Sequence, residues 1–314
     1  MTIAVAMTGN ASLQRLGQLW SAVVCIGNSS VTICWQSAFM RQILERTLRA
    51  PRTLFRLTRT GIHLAYAISV LVLVFPRCGG DMQAWLRQRW ARQLLSILGL
   101  SISVRGSPLA SMRVANHVSW IDIFLIMASS PAVFVSKEDV KDWPLIGLLA
   151  TGAGTIFMQR GSRRAALAAS ELLAQKLSEH HDIVAFPEGT TTDGSVVLPF
   201  HGALLQGAIQ AGQAIQPMAI CYVDRHGKST TIPAYCGDTS LCASMWRIAE
   251  ASGVRAELRY LAPHPVAGID RKELAEQLRH DVMAALLLPV GRPGQASLDA
   301  GKRVATPGYA ELAA

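Results

Sequence analysis

The sequence predicts an α/β fold: a mixed, largely parallel sheet flanked by helices, preceded by an N-terminal helical segment suited to a membrane surface. Three observations carry that expectation. From about residue 101, short apolar runs of strand length alternate with segments of helical periodicity. Upstream, a dense run of arginines adjoins an uncharged apolar stretch. The 314-residue chain is 50% hydrophobic and only 16% charged, where a soluble domain carries about 25% charged residues.

Residues 1–39 contain no charge before Arg15, so the basic start of a secretory signal is missing. Gly27, Asn28, Ser29 and Ser30 interrupt the moderately apolar run at 16–35. The segment reads as a weakly structured leader, or as sequence upstream of a true start at Met40. N-terminal sequencing of the native protein that found any residue before Met40 would reject the late start.

Residues 40–100 read as basic and apolar membrane-anchoring helices. Arg41, Arg46, Arg49, Arg52, Arg56 and Arg59 precede TGIHLAYAISVLVLVFP at 60–76, a run of 17 residues without charge. At about 1.5 Å per residue a helix of that length reaches roughly 25 Å, short of a hydrocarbon core of about 30 Å. Arg77, Arg87, Arg89 and Arg92 follow, among Trp85, Trp90, Leu94 and Leu95. Arginine, tryptophan and leucine at helical spacing suit a helix at a lipid interface, whereas a helix in a protein core would hold fewer arginines. Basic flanks on both sides point to a monotopic anchor on the cytoplasmic face of the inner membrane.

Residues 101–288 form the α/β domain. Strands are expected at 101–105, 111–115, 132–136, 154–158, 182–186, 215–222 and 255–261, and helices at 120–129, 143–151, 163–179, 202–211 and 270–287. The last helix is the cleanest: Asp270 can cap it, and Leu274, Leu278, Val282 and Leu286 recur at helical spacing. Pro289, Gly291, Pro293 and Gly294 mark 289–314 as a flexible tail.

The charge balance narrows the partners. The net charge is +9. The arginines crowd around the apolar anchor instead of forming a groove studded with aromatics, so an anionic membrane surface is the expected partner and nucleic acid is not. The six cysteines form no C-x-x-C pair and no zinc-spaced cluster with histidine, so no metal site is expected and buried, reduced thiols are.

Four short stretches could carry chemistry. In ANHVSWIDIF at 115–124, polar residues interrupt apolar sequence. Ser119 can cap the helix that follows, with Asp122 at its third position. On one regular helix His117 and Asp122 would lie roughly 140° apart. They can pair only across a strand–turn–helix junction, where the carboxylate would fix the imidazole tautomer and leave the other nitrogen to take a proton. The plainer alternative is a loop and a cap. In AFPEGTTTDG at 185–194, Gly189 permits an unusual turn and the threonines offer hydroxyls; any strand end needs a turn, which is the plainer alternative. FMQRG at 157–161 sets Arg160 at a strand end, with Arg163 and Arg164 close behind, where guanidinium can grip an anion; a solvated basic helix start would look the same. Pro217 in IQPMAI, at 215–220, suggests an edge strand or a bend. All four lie at or beside expected strands, and sites in open α/β sheets gather at strand ends.

The order N-H-x4-D, F-x-x-R, F-P-E-G-T and an apolar run with Pro resembles the lysophospholipid/glycerolipid acyltransferase family, which includes the 1-acyl-sn-glycerol-3-phosphate acyltransferases. The resemblance covers roughly 85–285 and implies the fold of that family. It implies that His117 is the general base on an acceptor hydroxyl, that Asp122 orients it, and that Arg160 holds the acceptor's phosphate. Glu188, Gly189 and Thr190 would line the acceptor site. The implied reaction moves a fatty acyl chain from acyl-CoA or acyl carrier protein to a lysolipid, without a cofactor or metal. First among acceptors is 1-acyl-sn-glycerol-3-phosphate, giving phosphatidic acid. One departure keeps a second acceptor open: many lysophosphatidate enzymes carry arginine after E-G-T, and here the residue is Thr191. E-G-T-[ST]-x-D-G resembles a branch that includes lyso-ornithine lipid O-acyltransferases. A reading of another class is a non-catalytic membrane-binding protein on the same fold.

Overall fold

The computed structural model describes residues 24–27, 30–33, 38–143, 146–158 and 163–288. Arg160 and the 289–314 tail lie outside them, as does most of the 1–39 leader. Where the leader is described, β1 (Val24–Gly27) and β2 (Ser30–Ile33) pair antiparallel. The chain divides into two units, one ending at Phe55 and one starting at Arg56. Helix α1 (Ala38–Leu73) runs through the boundary as a single element.

From Arg56 onward, α1 turns at Phe75–Arg77 into α2 (Gly80–Leu98). The two helices are clasped by reciprocal bonds: His63 Nε2 donates to the Trp90 carbonyl and Trp90 Nε1 to the His63 carbonyl, both at 3.1 Å. Their rings stack at 5.1 Å. The run expected at 60–76 is therefore one arm of a helical hairpin.

A seven-stranded sheet follows, in the order β3 (Leu100–Arg105), β9 (Val254–Tyr260), β8 (Ile215–Val223), β4 (Met112–Ala115), β7 (Ile183–Ala185), β5 (Val133–Lys137), β6 (Ile156–Met158). Every neighbouring pair is parallel except β8 with β9, so the mixed, largely parallel expectation holds. Helices α2, α3 (Ile121–Ser129) and α7 (Leu241–Glu250) bury Leu94, Leu125 and Ile248 with one face of the sheet. Helices α5 (Arg163–Ser178), α6 (Gln206–Gln210) and α8 (Arg271–Leu287) bury Leu173, Ala208 and Leu278 with the other. Helix α4 (Ile146–Gly152) lies between β5 and β6.

Three expectations change. Pro217 stands in β8, the third strand of the seven, and not at an edge. The Leu261 N–H still donates to the Pro217 carbonyl at 3.0 Å, and the Leu261 carbonyl, which the N–H of any other residue at 217 could have met, is taken by Gln216 Nε2 at 2.9 Å. The helix expected at 202–211 splits into a 3-10 turn, Gly202–Leu205, and α6. Helix α7 was not anticipated at all. The thiols are also less hidden than expected: Cys78, Cys221 and Cys236 are partly exposed, Cys242 is exposed, and all four are free.

Candidate active site

Strand β4 lies between β8 and β7, and all three run in one direction. Their C-terminal ends therefore lie side by side, where sites of such sheets form. The chain leaving β4 carries Asn116 and His117, and the chain leaving β7 carries Phe186 to Thr192.

Asn116 is fully buried and behaves as one more rung of the sheet. Its Nδ2 donates to the Ile220 carbonyl at 2.9 Å and its Oδ1 accepts from the Ile220 N–H at 2.8 Å. That anchor turns the chain out of the strand, so that His117 and the first turn of α3 face each other. His117 Nδ1 lies 2.9 Å from Asp122 Oδ2, and the same oxygen accepts the N–H groups of Val118 at 2.7 Å and Ser119 at 2.8 Å. Asp122 Oδ1 accepts the Tyr222 hydroxyl at 2.6 Å. A carboxylate with four donors and no solvent exposure is held in one rotamer.

The expected cap forms only in half. The acid reaches back to the Ser119 N–H, as a capping box requires. Ser119 Oγ, however, accepts from Ile121 N at 3.3 Å, and the residue preceding the helix is Trp120.

Because a carboxylate only accepts, Nδ1 of a neutral His117 carries the proton and Nε2 presents its lone pair. The ring stacks on Phe186 at 4.0 Å between centroids and 14° between planes, which fixes its tilt. His117 lines a cavity of about 900 Å³. Its walls are mainly apolar, from Leu64, Val70 and Leu71 of α1, Trp90 and Leu94 of α2, and Phe124 and Met127 of α3. The polar lining includes Thr190, Thr191, Tyr235 and His201. Imidazole beside a cavity of this kind can deprotonate a hydroxyl whose apolar chain lies along the walls.

Glu188 is placed differently from the acceptor contact that the resemblance implies. It is buried, and both its oxygens are engaged by main-chain N–H groups: Oε1 by His117 at 2.7 Å and Oε2 by Leu198 at 2.8 Å. Burial raises its carboxyl above the usual value, against the lowering effect of those two bonds. Its place is that of a buckle between the His117 turn and the 198–201 segment. Gly189 adopts φ 69°, a left-handed turn closed by its N–H on the Phe186 carbonyl at 3.1 Å. Gly189 and Thr190 line the cavity, as that resemblance implies for an acceptor site. The Thr192 N–H donates to the His117 carbonyl at 2.9 Å, a second stitch between the two motifs. Thr191 lines the same cavity, but its hydroxyl donates to the Tyr235 carbonyl.

The structure adds residues that sequence patterns did not mark. Tyr222 reads as one more β-branched-or-aromatic strand position. Among the described lining residues the cations are Arg87, Arg89 and Lys137, and Lys137 ends β5. Its signal was a charge at a strand terminus, the same kind that marked Arg160. No group of three or more His, Cys, Asp or Glu side chains able to hold a metal occurs among the described residues.

Residues 109–221, which hold both motifs and the Arg160 stretch, match the Acyltransferase family. A lyso-ornithine lipid O-acyltransferase of Pseudomonas aeruginosa is 39% identical over 249 residues, covering 77% of this chain and 94% of that one. A 1-acyl-sn-glycerol-3-phosphate acyltransferase of Neisseria gonorrhoeae is 33% identical over 180 residues, 57% of this chain and 70% of the relative. In fold, the chain is similar to the crystal structure of the 1-acyl-sn-glycerophosphate (LPA) acyltransferase PlsC from Thermotoga maritima. The TM-score is 0.57 over 77% of this chain and 96% of the other, at 18% identity.

Proposed function

The chain belongs to the Acyltransferase family, and from that premise we propose that it moves a fatty acyl chain from acyl-CoA or acyl carrier protein to the free hydroxyl of a lysolipid. The observation that carries this reading is His117: Nδ1 is held at 2.9 Å by Asp122 while the ring borders an apolar cavity. The acceptor hydroxyl donates its proton to Nε2 as its oxygen attacks the thioester carbonyl; the C–S bond then breaks, and the thiolate takes that proton from the imidazolium and leaves as the thiol. No acyl-enzyme is needed, so Ser119 stays a structural residue.

The first reading of the acceptor is 1-acyl-sn-glycerol-3-phosphate, giving phosphatidic acid. Arg160, with Lys137 from the cavity wall, supplies cations for its phosphate. A second reading, lyso-ornithine lipid, is favoured by Thr191. Its hydroxyl is turned to the Tyr235 carbonyl, so the position lacks the charge that an arginine would bring to a phosphate.

The site of action is an anionic membrane surface, reached from its cytoplasmic face by a monotopic anchor. Residues 50–77 form a helical stretch of 28 residues that is long and apolar enough to cross a bilayer, and only 11% of its most apolar 18-residue window is buried. Leu73, Val74, Met82 and Trp85 are exposed around the hairpin, with Arg77, Arg87 and Arg89 nearby in sequence.

The deciding experiment uses purified protein, one labelled acyl thioester, and separate lysophosphatidate, other lysophospholipid and lyso-ornithine acceptors. Label should pass to one acceptor, and His117→Ala should slow that transfer by about 10²–10⁴-fold. Unchanged transfer by His117→Ala would overturn the mechanism.

A further inference from the structure

We propose that Tyr222 is a positioning residue of the acyl-transfer reaction, acting through Asp122 to set how strongly His117 holds a proton. The inference rests on the reading of His117 as the base. Tyr222 lies on β8, in register with Ala256 of β9 and two residues past Ile220, the partner of Asn116. Its ring is only 2% exposed and packs in the core on the side of the sheet covered by α2 and α3. The hydroxyl reaches Asp122 Oδ1 at 2.6 Å, across 100 residues of sequence.

Two features separate this contact from a phenol that has merely found an acceptor. First, Oδ1 has no other donor among the described residues, while Oδ2 has three. Val118 N–H and Ser119 N–H hold the oxygen that faces His117, and only Tyr222 holds the opposite one. Second, burial and the adjacent carboxylate lift the phenol well above its usual range. It stays protonated and can only donate.

A short bond of this kind draws negative charge toward Oδ1 and away from the oxygen that faces the imidazole. Without it, Asp122 stabilises the imidazolium more strongly, and His117 gives up its proton less readily. Among the described residues Glu188, in the turn after β7, also faces the pair, and its Oε1 accepts the His117 main-chain N–H. Cys221 adjoins Tyr222 on β8. Neither touches Oδ1.

The test compares the full-length protein with Tyr222→Phe in the same vesicles. Two readouts are taken: turnover against pH with a labelled acyl thioester and each lysolipid, and the His117 ring titration by ¹⁵N-histidine NMR, assigned by its loss in His117→Gln. The expected result is a kcat that falls severalfold on the acid side, where more of His117 is protonated, and changes little on the alkaline plateau, with KM for both substrates within about twofold. The acid limb and the ring titration should both move to higher pH by about half a unit or more.

If Tyr222→Phe fails to fold, 3-fluorotyrosine at 222 keeps the shape and strengthens the donor. Both midpoints should then move to lower pH. Midpoints that stay in place in every folded variant overturn the proposal, even if melting temperature falls, because a purely structural phenol would give that result. Wild-type protein that transfers no acyl group would sink the acyltransferase reading instead. The NMR titration would still decide whether Tyr222 tunes the pair.

Discussion

Glu188 joins two segments of the chain through one carboxylate. Its two oxygens take the N–H groups of His117 and Leu198, so an amide in its place would turn an NH₂ toward one of those donors. Glu188→Gln should therefore lower both melting temperature and kcat, the latter by roughly tenfold through a loosened His117 turn. The pH dependence has a definite sign. Burial raises the folded-state carboxyl above its usual 4.5. The stability from this group is then fully present below that value and is lost as pH rises through the folded one. The melting gap between wild type and Glu188→Gln should be widest near pH 4.5 and narrow toward pH 7; a gap that widens instead would refute the assignment. His117 and Asp122 were legible because polar residues inside apolar sequence need a partner, and each proved to be the other's. Tyr222 was not legible. Its hydroxyl only matters once β8 lies beside β4, and nothing local in ICYV announces that.

Elements were easiest to read where periodicity was long and hardest where packing decides. Helix α8 runs from Arg271 to Leu287 with the Asp270 carboxylate accepting from Lys272 N at 2.8 Å, as its sequence indicated. Helix α7 has ten residues and follows a segment of Pro, Gly and Asp, so its apolar face carried too little pattern to stand out. Its capping signal was present, since Ser240 Oγ accepts from Ala243 N at 3.2 Å. Gly207 at the start of α6 lies so close to α5 that an added Cβ would meet Leu173 Cβ at 2.5 Å and the Ser170 carbonyl at 2.9 Å. Gly207→Ala gains helix propensity of about 1 kcal/mol, yet the displacement of α6 from α5 should cost about 1–3 kcal/mol. Chemical denaturation should show a net loss of stability, and a more stable variant would mean that the two helices separate freely.

At the scale of the molecule, strand order was beyond the reach of the sequence. β3 pairs with β9 across about 150 residues, in register from Leu100 opposite Val254, and only the closed sheet makes that pairing favourable. The apolar helix, by contrast, was legible in outline: the stretch at residues 50–77 is long and apolar enough to cross a membrane. What the structure adds is that the run belongs to a hairpin whose α2 arm is also tied to α3: Arg92 Nε donates to the Ala128 carbonyl at 2.7 Å and Gln88 Nε2 to the Ser129 carbonyl at 2.8 Å. These carbonyls end α3, the helix that carries Asp122, so the exposed hairpin and the His117–Asp122 pair share one scaffold. Leu73 and Trp85 are 61% and 51% exposed and stand outside the cavity lining. Burying such side chains in a bilayer is worth about 1.5–3 kcal/mol each. The double variant Leu73→Glu with Trp85→Glu should therefore lower sedimentation with anionic vesicles by at least roughly tenfold, while transfer to a detergent-dispersed acceptor persists. Wild-type binding should itself weaken as salt rises, because arginines meet anionic headgroups within a Debye length of about 8 Å at physiological ionic strength. Unchanged sedimentation of the double variant would show that the hairpin is not the membrane contact, and binding indifferent to salt would remove the anionic surface from the account.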